Sequence, residues 1–218
     1  MRQIGLRWAF VVAVTAVVVF FSEKMYWYPQ GYAFGELILF NEAPVYVCLW
    51  AAAYFRVRQA AGVVLVGALF GVLVEGVLTP VIYEGGVSDP VLPAYFLGWH
   101  GLLAFGFGWW WLHHWLRSGR WQRLLPTLAL VGLLWGIWSL TYWLPEQAAD
   151  FALAGQWSTV DFGLHAFTFT LLLMAAHVGA DWLLGRGVWP TQFKPAAGEK
   201  WLVVAALVFF FVTLALLV

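Results

Sequence analysis

Six ionisable residues lie inside runs of the chain that are otherwise apolar. Glu36 and Glu42 fall in GELILFNEAPVYVCLW, Glu75 in GVLVEGVLTPVIYEGG, His100 in YFLGWHG, and Asp161 and His165 in STVDFGLHAF. An ionised acid at the centre of a bilayer is penalised by about 2.5 to 3.5 kcal/mol on insertion scales. Such groups are therefore expected to face the protein interior, to be neutral, or to be partnered. Two of the runs also carry a proline. Pro44 has no N–H to give to the carbonyl of Phe40 and disfavours helical geometry at Ala43, so a kink is expected that opens an acceptor beside Asn41 and Glu42. Pro80 frees the carbonyl of Gly76 beside Glu75 in the same way.

Three chemistries suit this set. In the first, one buried carboxylic acid donates a proton while a second carboxylate or a histidine accepts one, a division that environment imposes on paired titratable groups. Glu42 and Glu75 are then acid and base, His100 and His165 move protons, and Asp161 orients His165 one turn away. Glu36, Asn41, Tyr83 and Trp99 border the layer as candidate substrate contacts. The substrate fitting such a place is a lipid or an isoprenoid entering sideways from the bilayer. In the second chemistry, His100, His165 and Glu75 or Asp161 hold a divalent metal as a two-histidine, one-carboxylate set. The close ligand spacing that makes a metal motif specific is absent. In the third, His100 and His165 are axial ligands of a b-type haem, and Gly98, Gly101, Gly106 and Gly108 leave room for the macrocycle. A second haem between His113 or His114 and His177 is disfavoured by helical geometry. At 100° per residue His100 and His114 differ by a net angle of about 40°, but His165 and His177 by about 120°. Those three histidines read instead as interfacial side chains near Arg117 and Asp181.

The elements that position these residues follow from composition. With 63% hydrophobic and 10% charged residues in 218, the chain has too little polar surface for water and belongs in a membrane. Lysine plus arginine balance aspartate plus glutamate at 11 each, which gives no reason to expect nucleic acid; the expected partners are membrane lipids and a lipid-like small molecule. The lone cysteine, Cys48, can form no intrachain disulfide and reads as a small buried hydrophobe.

Apolar runs long enough to cross about 30 Å of hydrocarbon occur at 7–21, 32–55, 60–83, 94–116, 124–144, 160–184 and 201–218. Lipid offers the backbone no hydrogen bonds, so these are expected to be helices: an all-α, polytopic, single-domain bundle of seven spans. The first run resembles a secretory signal but lacks a small-residue cleavage pattern before Ser22-Glu23-Lys24, and is taken as a retained helix. Arg2, Arg7, Arg56, Arg58, Arg117, Arg120, Arg123, Arg186, Lys194 and Lys200 fall on one side of this topology, with Lys24 the exception. Basic loops stay cytoplasmic, which places the N-terminus inside, the C-terminus outside and the protein in the cell membrane as a multi-pass protein. Glu23, Glu84, Asp89, Glu146 and Asp150 then populate the outer loops, and the six buried groups share the outer half of the bilayer. Tyr26 to Tyr28, and Trp109 to Trp111 with Trp115 and Trp121, read as interfacial belts. Gly67 with Gly71 and Gly132 with Gly136 mark faces open to close helix packing. A proton-coupled carrier uses similar proline-broken helices, and a structural subunit of a membrane complex would use the tryptophan-rich surface. The single domain shows no internal repeat of the kind many carriers have.

Overall fold

A computed structural model describes residues 2–25, 33–78, 94–140 and 159–188, and all regular structure among them is helical. Helix α1 spans Arg2–Val19 and continues through Phe20–Lys24 with wider π winding; α2 spans Phe34–Tyr54. Helix α3 spans Ala60–Leu73 and ends in a second π-wound stretch, Val74–Leu78. Helix α4 is π-wound over Ala94–Trp111 and α-helical over Leu112–Arg117; α5 spans Trp121–Leu140 and α6 Thr159–Gly185. Gln3–Lys24, Phe34–Tyr54 and Gly163–Gly185 are long and apolar enough to cross a membrane, with Ala60–Gly76 a shorter apolar helix. The chain is therefore a helical membrane protein. The expected run at 201–218, Pro80, Tyr83 and the connections around 84–93 and 145–158 lie outside the described residues.

Helix α1 is the central element. Val11, Val14, Val17 and Val18 are fully buried, as one helical face must be to meet neighbours at a 3- to 4-residue repeat. It packs against α2, α4 and α6. Trp8 stacks on Tyr46 of α2 with centroids 5.4 Å apart, and Phe10 meets Trp109 of α4 edge-on at 5.9 Å. At the other end of α1, Phe20 and Phe34 both pack on Phe169 of α6, at 5.1 and 4.8 Å. Helices α1 and α2 therefore run antiparallel.

Two expectations change here. Glu23 and Lys24 are not in a connection: FFSEK forms the last turn of α1, closed by Met25 N–H to the carbonyl of Phe20 at 2.8 Å, with Ser22 and Lys24 buried. Trp109 is not in a belt either. It is 9% exposed and packs in the core. Helix α2 runs unbroken through Pro44. Asn41 does not serve the carbonyl that Pro44 releases: its Nδ2 donates 2.8 Å to the carbonyl of Leu37, one turn back.

The closest helix contact is between α3 and α4. A methyl placed on Gly67 would come within 2.6 Å of the Cα of Gly101 and 2.7 Å of the carbonyl oxygen of His100. One on Gly101 would meet the carbonyl of Val64 at 2.6 Å. Both glycines are therefore required by backbone approach, and the expected Gly67/Gly71 face is used. Gly132 has nothing within 4 Å of an added methyl among the described residues.

Candidate functional site

The α3–α4 contact sets the chemistry. With Gly67 against Gly101, the next turn of α3 brings Gly71 against the ring of His100, and one turn further Glu75 reaches that ring. Glu75 Oε1 stands 3.2 Å from His100 Nε2. Phe70 closes the imidazole edge-on at 5.5 Å, and His100 is 1% exposed while the Glu75 side chain is 17% exposed. The histidine is buried and the carboxylate is partly exposed. With Nε2–H donating to Glu75, His100 Nδ1 is a buried acceptor that has no hydrogen-bond partner among the described residues. In the other tautomer, with Nε2 unprotonated, a Glu75 carboxylic acid donates to Nε2 and can pass its proton to the ring and take it back.

The sequence reading missed Glu23 and Lys24. From the last turn of α1, Glu23 lies within electrostatic reach of both Glu75 and Lys24, and Lys24 within reach of His165. Two carboxylates and a cation are thus gathered at the end of α1. The apolar run continues unbroken to Phe21, and SEK fits within one further turn. That is the signal that could have found them.

The other candidates have separate neighbours. Trp99 donates its indole N–H to the carbonyl of Ser22 at 2.6 Å, which ties the start of α4 to the end of α1. Replacing Trp99 with Phe is expected to lower stability by about 1 kcal/mol, the net worth of one such bond, while leaving any turnover intact. Thermal unfolding of the detergent-solubilised protein measures the first effect and the assay for the Glu75 variants described below measures the second. Glu36 is exposed, and its Oε2 accepts the N–H of Ala33 at 2.9 Å, so it caps the start of α2. Glu42 is half-buried on α2, which touches the Val74–Leu78 turn carrying Glu75. His165 packs on Phe169 with centroids 4.3 Å apart. Asp161 lies one turn before His165 on α6.

His100 and His165 are thus held by different neighbours, one by Phe70, Gly71 and Glu75, the other by Phe169 beside Lys24. Among the described residues no three histidine, cysteine, aspartate or glutamate side chains are placed to share a metal ion, so the set His100, His165 and Glu75 is not assembled. For a haem, the difficulty is the same. The Nε2 of His100 is engaged by Glu75, and Gly71 packs so closely on the ring that a single methyl there would meet Cδ2 at 2.8 Å.

A second group of polar rings lies at the far end of α4. Trp109, His113 and His177 stack on one another, with centroids 4.5 Å (Trp109–His113), 5.8 Å (Trp109–His177) and 5.8 Å (His113–His177) apart. Arg117 Nε pairs with Asp181 Oδ1 at 2.8 Å, and His113 Nε2 is 3.8 Å from the same oxygen. The expected neighbourhood of Arg117 and Asp181 is present, and His113 and His177 are buried within it. His165 and His177 lie on one α-helix, Thr159–Gly185, and keep a net separation of about 120°, while His113 on the α-helical end of α4 meets His177. No family model, no curated protein and no solved structure matches the chain.

Proposed function

We propose that the protein is a membrane-embedded enzyme in which Glu75 and His100 carry out acid–base chemistry on a lipid or isoprenoid molecule. The observation that carries this reading is the 3.2 Å contact between Glu75 Oε1 and a histidine that is 1% exposed. A hydrogen-bonded acid and imidazole are costly to bury in lipid and are the groups that general acid–base catalysis requires. Glu75, the more open of the two, is the group that meets substrate; His100 holds and relays its proton, and Glu23 is the second acid. Access from the bilayer is supported by Leu65, Leu69, Leu97 and Leu102, which leave α3 and α4 apolar and exposed on the outer side of the pair.

The same reading carries the full topology: seven spans in the cell membrane, N-terminus cytoplasmic and C-terminus outside. It is supported by arginines at the start of α1 and at the ends of α2, α4 and α6, which antiparallel packing gathers at one face. Glu75 then lies in the outer half of the bilayer.

The test is lipid extraction and mass spectrometry on the purified protein and on the membranes that produce it. An apolar molecule is expected to copurify, and Glu75→Gln is expected to lower its conversion at least a hundredfold while the molecule remains bound. If no apolar molecule copurifies and the lipid profile is the same for wild type, Glu75→Gln and His100→Ala, the enzyme reading fails.

A further inference from the structure

The far end of α4 takes no part in the proposed chemistry, and arginines gather there. We propose that the turn joining α4 to α5, with the end of α6 beside it, binds the headgroup of an anionic phospholipid. Arg117, Arg120 and Arg123 follow one another at intervals of three residues through this turn, and all three are exposed. The turn is tight: Gly119 takes a left-handed φ of 63°, and the N–H of Arg123 donates to the carbonyl of Arg120 at 3.0 Å. Arg117 Nε pairs with Asp181 Oδ1 at 2.8 Å, which joins the end of α6 to it. Further along α6, Arg186 lies over the ring of Trp182, 3.5 Å from its centroid.

Helix α1 adds a fifth arginine. Phe10 and His177 both pack on Trp109, whereas Phe20 meets Phe169, so α1 and α6 run antiparallel. Arg7, about one turn before Phe10, therefore stands at the level of Asp181, about one turn after His177. Asp181 is the only acidic residue in the segments 2–10, 112–125 and 178–188, so this end keeps a positive excess.

Topology alone asks for basic residues on a cytoplasmic face, without fixing where on that face they stand. Here the arginines are held in place and set beside apolar surface. The Arg117 side chain is 55% exposed, so a phosphate from outside can reach a guanidinium that the ion pair already orients. Arg186 stacks through its face, which leaves the N–H groups at its edge to a second phosphate oxygen. Leu125, Leu128, Val178 and Trp182 are exposed on α5 and α6 and offer the acyl chains of the same molecule an apolar contact. A soluble anion would use the arginines alone.

The experiment is native mass spectrometry of the full chain in neutral detergent, titrated with phosphatidylglycerol, with phosphatidylcholine or with inorganic phosphate. Phosphatidylglycerol is expected to be retained and phosphatidylcholine of the same acyl chains to be lost, a readout that depends on no variant folding. Inorganic phosphate at the concentration of the lipid is expected not to displace it. Arg120→Gln/Arg123→Gln is expected to lower retention roughly tenfold or more, at about fivefold for each arginine near an anionic headgroup. Arg56→Gln/Arg58→Gln, which removes the same charge from the α2–α3 turn, is expected to retain the lipid as wild type does, and so is Glu75→Gln. Arg120→Lys/Arg123→Lys keeps the charge that sets topology and is still expected to retain less lipid, because an ammonium cannot make the paired contact of a guanidinium. Equal retention of the two phospholipids by the wild type, equal retention by the two double glutamine variants, or displacement of the lipid by inorganic phosphate overturns the proposal.

Discussion

Gly67→Ala is expected to destabilise the protein by about 3 kcal/mol, a large effect for the addition of one methyl group. The new carbon would lie 2.6 Å from the Cα of Gly101 and 2.7 Å from the carbonyl oxygen of His100. Both atoms are backbone, so no rotamer change relieves the overlap and the helices must separate. Helix association in lipid depends on van der Waals contact between small residues, and it is lost along the whole crossing once the backbones part. Gly101→Ala is expected to do similar damage against the carbonyl of Val64, and the two together to cost less than their sum, since both open the same contact. Gly71→Ala meets the His100 ring instead, a side chain that can shift, and should cost less while displacing His100 from Glu75. Gly132→Ala is the control. It lies inside α5 with nothing within 4 Å among the described residues, so helix propensity alone acts, and it should be neutral or stabilising by up to about 1 kcal/mol. Reversible unfolding in mixed micelles ranks the four, and a Gly67→Ala loss no larger than that of Gly132→Ala contradicts the crossing.

The helical class and most helix positions were legible from the apolar runs, because a bilayer tolerates only satisfied backbones. Gly67 and Gly71 could be read as a packing face for a related reason: small residues one turn apart have few other uses in such a helix. The end of α1 was not legible. Hydropathy counts Ser22, Glu23 and Lys24 as a break, whereas the backbone continues for a further π-wound turn and buries them against neighbours that the local sequence does not reveal. The stacking of His113 on His177 was not legible either, because a contact between helices far apart in sequence depends on how α4 and α6 pack, which neither segment reveals alone. Glu36 and Trp99 have the residue types of a binding site, yet one caps α2 and the other ties α4 to α1. Residue type identifies a polar group that needs a partner; only the fold decides whether that partner is a substrate or the backbone. Glu75 and His100 differ from these two because side chain meets side chain at a buried crossing.

That difference can be measured. His100→Leu is expected to cost about 2 to 3 kcal/mol, because it removes the ring bonded to a carboxylate that is 17% exposed and leaves the acid to be desolvated without it. Adding Glu75→Leu should recover most of the loss. Replacing both members of a buried polar pair with apolar groups of similar size is often close to neutral, whereas removing one leaves the desolvation penalty of the other. The coupling between the two positions is therefore expected to be about 2 kcal/mol in a double-mutant cycle from micelle unfolding. A coupling near zero would mean that the 3.2 Å contact contributes nothing to the fold. The stable double variant then separates structure from function. A pair kept only to pack α3 on α4 would be dispensable, and cells carrying the double variant would have the lipid profile of the wild type. A pair kept for proton transfer has no apolar substitute, so the double variant should be folded and catalytically dead, with unconverted substrate bound. The lipid profile of cells carrying the double variant is therefore the measurement that divides the proposed chemistry from packing at this site.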